Sequence, residues 1–163
     1  MHWLKRWWPA LLWAVVIWCF STGAFTSVNT ELVIVPVLRW LFPHASHHML
    51  LVMHHYIRKG AHFTEYFIFS LLVSRGIRAG RHGARAGWAI AAVVLVACYA
   101  SLDEFHQAFV PGRQAAVADV LLDISGGVVA QVVAVLCALG SSAREARRGS
   151  ISKADPSDPA SLH

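Results

Sequence analysis

Charged residues are scarce in this 163-residue chain, and their scarcity excludes an ordinary soluble domain. Asp, Glu, Lys and Arg make up only 14% of the residues, whereas hydrophobic residues make up 56%. Soluble globular domains carry about 25% charged residues. The mean hydropathy of +0.51 points the same way. The composition therefore indicates a membrane protein, and the length favours a single domain.

Cysteine clusters and glycine-rich phosphate loops are also lacking. The three cysteines, Cys19, Cys98 and Cys137, are far apart and each lies in an apolar run, which is the pattern of neither a disulfide framework nor a zinc site. No glycine-rich loop of the phosphate-binding type is present. The net charge is +5, but no basic stripe alternates with aromatic residues. We therefore expect no metal site of cysteine type and no nucleic-acid partner.

Long apolar runs take the place of these features. A helix that crosses a bilayer needs about 20 mostly apolar residues. Four runs approach this length, at residues 9–25, 61–77, 87–102 and 117–140. We expect an all-α integral membrane protein with four transmembrane helices within residues 9–140. Residues 1–8 would form a cytoplasmic N-terminus, and residues 141–163, rich in Ser, Ala, Asp and Pro, a disordered cytoplasmic tail.

The basic residues predict how these spans are oriented. Lys and Arg are concentrated at the N-terminus, between the second and third runs, and after the fourth run, whereas the connection between the third and fourth runs has only Arg113. Positive charge is retained on the cytoplasmic side of a membrane. The prediction is a multi-pass protein of the inner (plasma) membrane with both termini in the cytoplasm.

The segment from Thr26 to Gly60 then lies outside the membrane. Its first part has apolar residues near helical spacing, interrupted by Pro36, and we expect an amphipathic piece on the outer membrane surface. Ser46 is placed to cap a helix that continues into the second span. The outer histidines are His44, His47, His48, His54 and His55. They are typical of a membrane-surface helix, and metal capture is the alternative.

Polar side chains converge at the outer ends of the second, third and fourth runs. They recur at helical spacings of three and four. They are His55, Lys59, His62, Glu65 and Tyr66 on the second run, Asp103, Glu104, His106 and Gln107 on the third, and Asp119, Asp123 and Gln131 on the fourth. Ionisable groups in a membrane are costly unless they are paired or lie in a wet cavity. Either a network that pins the helices, with Asp103 or Glu104 paired to Arg113, or a site open to the outside would satisfy them.

Three blocks of this sequence resemble the VanZ-like family of membrane proteins. They are "RKGAHFTEYFIFSLL", "SLDEFHQAFVPGR" and "DVLLDISGG", in this order and spacing. Carried over residue by residue, the family blocks fall on Lys59, His62, Glu65, Asp103, Glu104, His106, Gln107, Arg113, Asp119, Asp123 and Gly127. Family members often have Asn where this chain has Asp123. The family's namesake gives low-level teicoplanin resistance, so the resemblance implies a role in the cell envelope.

Binding of a membrane lipid is the first functional hypothesis. The expected ligand is an anionic envelope lipid or a peptidoglycan precursor. Lys59 and Arg113 would hold a phosphate or carboxylate group, and the apolar helix faces would hold an acyl or prenyl chain. The complete set of expected ligand-binding residues is Lys59, His62, Glu65, Gln107, Arg113, Asp119 and Asp123.

An enzyme that acts on a lipid-linked phosphate or glycan is the second hypothesis. Asp103, Glu104 and His106 would be catalytic, with His106 carrying the proton or with all three binding a divalent metal. No nucleophile motif stands out, and the sequence identifies no cofactor. A purely structural polar network is the third hypothesis. Four short spans without an inverted repeat do not favour a transporter.

Overall fold

The computed structural model describes residues 2–22, 26–80, 85–110 and 116–154. This part of the chain consists of five α-helices and contains no strand. The helices are α1 (His2–Phe20), α2 (Ser27–Leu41), α3 (His47–Arg78), α4 (Ala86–Gln107) and α5 (Val117–Ala154). The expectation of an all-α protein is therefore confirmed.

Two of the described helices are long and apolar enough to cross a membrane. They are α4 and, within α5, the stretch Val117–Glu145. The other two predicted spans are also helical, in α1 and α3, but these helices are more polar: α1 contains Lys5 and Arg6, and α3 contains Arg58 and Lys59. The structure thus supports a membrane protein through α4 and α5.

The long helix α3 organises the bundle, because each of the other helices except α4 has its main contacts with it. α5 packs against both α3 and α4, and α1 and α2 pack against α3. The principal core contains Ala10 and Ile17 of α1, three residues of α3, and Val96 of α4, among others. A second, smaller core forms where Val35 and Leu38 of α2 meet Leu50 of α3.

Small residues on α5 allow the closest helix contacts. A Cβ atom on Gly126 would clash with the backbone oxygen of Phe63 on α3, and one on Gly127 would lie 2.8 Å from Cγ1 of Val96 on α4. Ala130, one turn further, is fully buried. The face of α5 that carries these small residues is therefore the surface on which α3 and α4 pack.

The start of α3 agrees with the sequence. Ser46 is the N-cap, and its side chain accepts a hydrogen bond from the backbone N–H of Met49 at 3.2 Å. The helix then continues without a break to Arg78, and Ala79 and Gly80 end it in the left-handed conformation. The last part of the predicted outer segment, from His47, and the predicted second span thus form one continuous helix of 32 residues.

α2 differs from the expectation in one respect, because Pro36 lies inside the helix and does not interrupt it. A proline inside a helix removes one backbone hydrogen bond and costs about 3 kcal/mol. Val35 and Leu38 on either side are buried against Leu50, and this burial offsets the cost. The opposite face exposes large apolar side chains such as Leu32 and Trp40.

The end of α5 also differs from the expectation. The sequence predicted disorder from residue 141, but α5 continues to Ala154. The continuation contains several Ala and Arg residues, which favour helix, and it contains no proline. Residues 155–163 of the predicted tail lie outside the described part of the chain.

Candidate functional site

A cavity of about 440 Å³ lies at the end of the bundle where α3, α4 and α5 meet the beginning of α2. Polar side chains dominate its wall. The lining residues are Ser27 of α2; His54, His55, Arg58, Lys59 and His62 of α3; Glu104 and Gln107 of α4; and Asp119 and Leu122 of α5. Some of the polar residues that the sequence predicted to converge from the second, third and fourth runs thus line this cavity.

One face of α3 supplies all the basic side chains of the described wall. Its residues 54, 55, 58, 59 and 62 are separated by one, three, one and three positions, which places them on one side of a helix over about two turns. Because these residues lie on a single continuous helix, their relative positions are fixed by the helix and not by a loop.

Two carboxylates balance the two permanently charged bases of this wall. Lys59 forms an ion pair with Asp119, which joins α3 to α5. Glu104 accepts a hydrogen bond from the backbone N–H of Ala116, just before α5 begins. Arg58 is the second permanent cation. With neutral histidines, the described wall therefore carries no net charge.

His54 lies deep at the α2 side of the cavity. It is buried, and its Nε2 lies 3.1 Å from Oγ1 of Thr30 on α2. Burial lowers the pKa of His54 below its ordinary value, and the positive charge of Arg58 lowers it further. The His54 ring is therefore held in its neutral form at neutral pH, in which it can either donate to or accept from the threonine hydroxyl.

A second acid–base contact lies directly beneath the Lys59–Asp119 pair. His62 and Asp123 are each one helical turn further along α3 and α5, and Nδ1 of His62 lies 3.8 Å from Oδ1 of Asp123. His62 lines the cavity, whereas Asp123 is only 2% exposed and does not. α3 and α5 thus form two successive acid–base pairs, Lys59 with Asp119 and, one turn further along, His62 with Asp123.

Asp103 faces away from the cavity, towards α1. Its carboxylate accepts hydrogen bonds from the hydroxyl of Ser21 and from the amide of Gln107 at 2.9 Å. The same Gln107 amide also donates to Ser21 Oγ at 3.1 Å. All three residues are buried. These hydrogen bonds connect the end of α1 to α4, so the contacts of Asp103 are structural.

His106 also lies outside the cavity wall. Its ring stacks on Trp18 of α1, with ring centroids 4.0 Å apart. Its buried Nδ1 has no hydrogen-bond partner among the described residues. Of the three residues predicted to be catalytic, only Glu104 therefore lines the cavity.

The predicted ligand-binding residues divide into three groups. Lys59, His62, Gln107 and Asp119 line the cavity. Asp123 lies beneath it. Glu65 is not among the lining residues, and its backbone oxygen accepts a hydrogen bond from Trp13 Nε1 at 2.9 Å. Arg113, and with it the predicted pairing to Asp103 or Glu104, lies outside the described residues.

The lining residue His55 was noted in the sequence only as an outer histidine and as part of the polar cluster on the second run. Four more lining residues were not among the predicted site residues. They are Ser27, His54, Arg58 and Leu122. The i to i+4 spacing of His54 and Arg58, parallel to that of His55 and Lys59, was a signal that would have identified two of them. Ser27 comes from a helix whose position only the tertiary structure defines.

A metal site has no support in the described geometry. Across residues 2–22, 26–80, 85–110 and 116–154, no group of three His, Cys, Asp or Glu side chains is placed to hold a metal ion. Among the outer histidines, His47 accepts a hydrogen bond from Arg39 at 3.4 Å, while His54 contacts Thr30.

The family comparison follows the same part of the chain. The family model described as VanZ/LLP1 matches residues 7–138. The chain belongs to the VanZ/LLP1 family. The match includes every helix that lines the cavity and confirms the resemblance of the three sequence blocks. No curated protein and no solved structure matches this VanZ/LLP1 chain.

Proposed function

We propose that this VanZ/LLP1 protein binds the anionic head group of an envelope lipid, or of a lipid-linked peptidoglycan precursor, in the cavity at the end of its bundle. The observation that carries the proposal is the wall of α3, which presents Arg58, Lys59 and three imidazoles to one cavity. Arg and Lys bind phosphate and carboxylate groups through charge-assisted hydrogen bonds. Phosphate and carboxylate are the anionic groups of such lipids.

The proposed arrangement has α1, α3, α4 and α5 crossing the plasma membrane, with α2 on its outer surface. α3 supports this arrangement, because Lys59 and Arg78 are separated by 19 residues, or about 28 Å of helix. The hydrocarbon core of a bilayer is about 30 Å thick. If the basic end of α3 at Arg75 and Arg78 is cytoplasmic, the cavity lies at the outer leaflet.

The outer surface of the bundle is compatible with lipid. Large apolar side chains are exposed along α1, α2, α4 and α5, for example Leu12, Trp40, Ile90 and Leu136. A soluble protein rarely exposes so much apolar surface. A lipid whose head group enters the cavity would therefore keep its hydrocarbon chains in the surrounding bilayer.

A catalytic function is less well supported by this geometry. Asp103 bonds to Ser21 and Gln107, and His106 stacks on Trp18, so neither reaches the cavity. The structural hypothesis accounts for part of the polar residues: Ser70 and Gln131 join α3 to α5 through hydrogen bonds of 2.7 and 3.0 Å. It does not account for Arg58 and His55 lining a cavity.

Lipid binding by the purified protein tests the proposal. Fluorescent phosphatidylglycerol, which is anionic, and phosphatidylcholine, which is zwitterionic, are titrated against the protein in neutral detergent. We expect selective binding of the anionic lipid. Arg58→Gln should weaken it by about tenfold or more, because a hydrogen bond to a charged group contributes about 1.5–3 kcal/mol.

Arg39→Gln is the matched control. It removes the same charge from an exposed position on α2 that does not line the cavity. Equal binding of both lipids by the wild type, or equal weakening by the two Arg variants, would contradict the proposal.

Low-level teicoplanin resistance is the proposed cellular consequence. Expression of the chain in a glycopeptide-sensitive host should reduce susceptibility to teicoplanin but not to vancomycin. The Arg58→Gln variant, expressed at the same level in the membrane, should not give this protection. If the wild type protects against neither antibiotic, the chain has no part in resistance, whatever lipid it binds.

A further inference from the structure

The permanent charges of the described cavity wall cancel. Arg58 and Lys59 are positive, and Glu104 and Asp119 are negative. Lys59 is moreover already paired with Asp119. Because these charges cancel, a further positive charge would strengthen the binding of an anion in this cavity. Among the described lining residues, only the imidazoles can supply it near neutral pH.

The three imidazoles differ in their surroundings. Burial and the neighbouring charge of Arg58 lower the pKa of His54 and hold its ring neutral. His55 is exposed at the rim. His62 is half-buried at the floor of the cavity, and its Nδ1 lies 3.8 Å from a carboxylate oxygen of Asp123. His62 is therefore the imidazole with an anionic group placed to stabilise its protonated form.

Asp123 in turn needs a positive charge or a proton. It is 2% exposed, and its Oδ1 has no hydrogen-bond partner within the described residues. The negative charges of Asp103, Glu104, Asp119 and Glu65 all act on it. A buried carboxylate in such surroundings is costly unless it is paired or neutralised.

We propose that His62 and Asp123 form a proton-accepting pair beneath the cavity, and that binding of an anion in the cavity is coupled to the uptake of one proton by His62. The proposal rests on the proposed function and adds its regulation by pH. The groups around this pair are His55, Arg58, Lys59, Glu65 and Tyr66 on α3, Asp103 and Glu104 on α4, and Asp119 on α5.

The charge balance of the step is simple. One proton moves from solvent to the His62 ring, which then carries an N–H on both nitrogens. The charge of the His62–Asp123 pair thereby changes from −1 to zero, so an anion in the cavity no longer meets an uncompensated carboxylate beneath it. Because proton uptake accompanies anion binding, acidification must tighten the complex. With one proton, the affinity rises by at most about tenfold per pH unit.

The test uses a lipid whose own charge does not change. Phosphatidylglycerol is a phosphodiester and stays singly charged between about pH 5.5 and 7.5, so any change of affinity in this range, which spans the ordinary pKa of histidine, comes from the protein. Dissociation constants are measured across the range for the full-length wild type in neutral detergent. We expect binding to tighten several-fold as the pH falls, with phosphatidylcholine showing no such change.

The variants identify the proton acceptor. For each variant the slope of log affinity against pH is compared, and not the affinity at one pH. His62→Gln should flatten the slope, and Asp123→Asn should flatten it because the imidazolium loses its stabilising partner. His48→Gln changes an exposed histidine away from the cavity and should keep the wild-type slope.

The outcomes are distinguishable. If phosphatidylglycerol does not bind at any pH, the proposed function is wrong. If it binds with the same affinity throughout, or if His62→Gln keeps the slope while His55→Gln removes it, anion binding stands and the His62–Asp123 coupling is overturned. Should Asp123→Asn fail to fold, His62→Gln leaves the buried carboxylate in place and decides the question alone.

Discussion

At the scale of single residues, most buried polar side chains of this protein are explained by a partner on another helix. Asp103 bonds to Ser21 of α1, and Gln131 bonds to Ser70 of α3. A buried polar group without a partner costs about 1–3 kcal/mol. The sequence identified Asp103 as part of a polar cluster, but its structural role follows only from the position of α1.

Asp103→Ala should therefore reduce stability. The change leaves the Ser21 hydroxyl and the Gln107 amide buried without their shared acceptor, and we expect a loss of about 1–3 kcal/mol in the free energy of unfolding. Thermal unfolding in detergent measures it. Ser101→Ala is the control, because the exposed Ser101 hydroxyl bonds only to Ala97 within α4. If the thermal stability of Asp103→Ala equalled that of the wild type, the network would contribute no stability.

The buried His54 predicts a loss of stability in acid. Burial and Arg58 lower its folded-state pKa below the ordinary 6.5. The unfolded chain therefore binds more protons than the folded one as the pH falls below about 6.5, so the stability that neutral His54 contributes at higher pH is lost. Without added lipid, we expect His54→Gln to lose less stability than the wild type between about pH 7.5 and 5.5, measured by unfolding at each pH. A steeper loss in the variant would contradict this assignment.

At the scale of helices, α3 is the element that makes the site. Ser46 caps it, and it runs without a break from His47 to Arg78, so its cavity-lining face lies at a fixed distance from Arg75 and Arg78 in its last turn. α5 completes the site by packing closely through Gly126 and Gly127, which brings Asp119 and Asp123 opposite Lys59 and His62.

Gly126→Ala should disrupt this packing. The added Cβ would meet the backbone oxygen of Phe63, which cannot move without shifting α3. Overpacking of this kind costs about 1–3 kcal/mol. Gly60→Ala is the matched control: its Cβ would meet nothing within 4 Å, and it should stabilise α3 by up to about 1 kcal/mol. Thermal stability of both variants in detergent gives the comparison, and equal effects would show that α3 and α5 are not held at this distance.

At the scale of the whole molecule, the cavity and the basic ends of the helices lie on opposite sides of the bundle. The cavity is formed at the N-terminal part of α3, whereas Arg75 and Arg78 lie in its last turn. This polarity supports our proposal that the site lies at the outer leaflet. A ligand delivered from outside and held beside the hydrocarbon would then reach the cavity without crossing the membrane.

The orientation has a direct test. In a background in which Cys19, Cys98 and Cys137 are replaced by alanine, His44→Cys should react with a membrane-impermeant maleimide added to intact spheroplasts. Ala86→Cys should react only after lysis. Both positions are exposed in the structure. The reverse pattern would place the cavity on the cytoplasmic side and overturn the proposed topology.

The amino-acid sequence was sufficient to predict the helical class, the beginning of α3 at Ser46 and the family. These features depend on residue preferences for helix and helix caps, on helical spacing and on three contiguous sequence blocks, and all of these signals lie within short stretches of the chain. The sequence did not predict that α2 continues through Pro36 or that α5 continues to Ala154, because burial beside the proline and the helix preference of the tail outweigh the local breaking signals.

Which polar residues share a cavity became evident from the packing of the helices. Helical spacing placed Asp103, Glu104, His106 and Gln107 together on α4, yet Glu104 and Gln107 line the cavity while Asp103 and His106 contact α1. Two neighbouring residues of a helix point about 100° apart, so the helix that each one meets depends on how the bundle packs around it. That packing arises from contacts between segments distant in the chain, and no local pattern contains it.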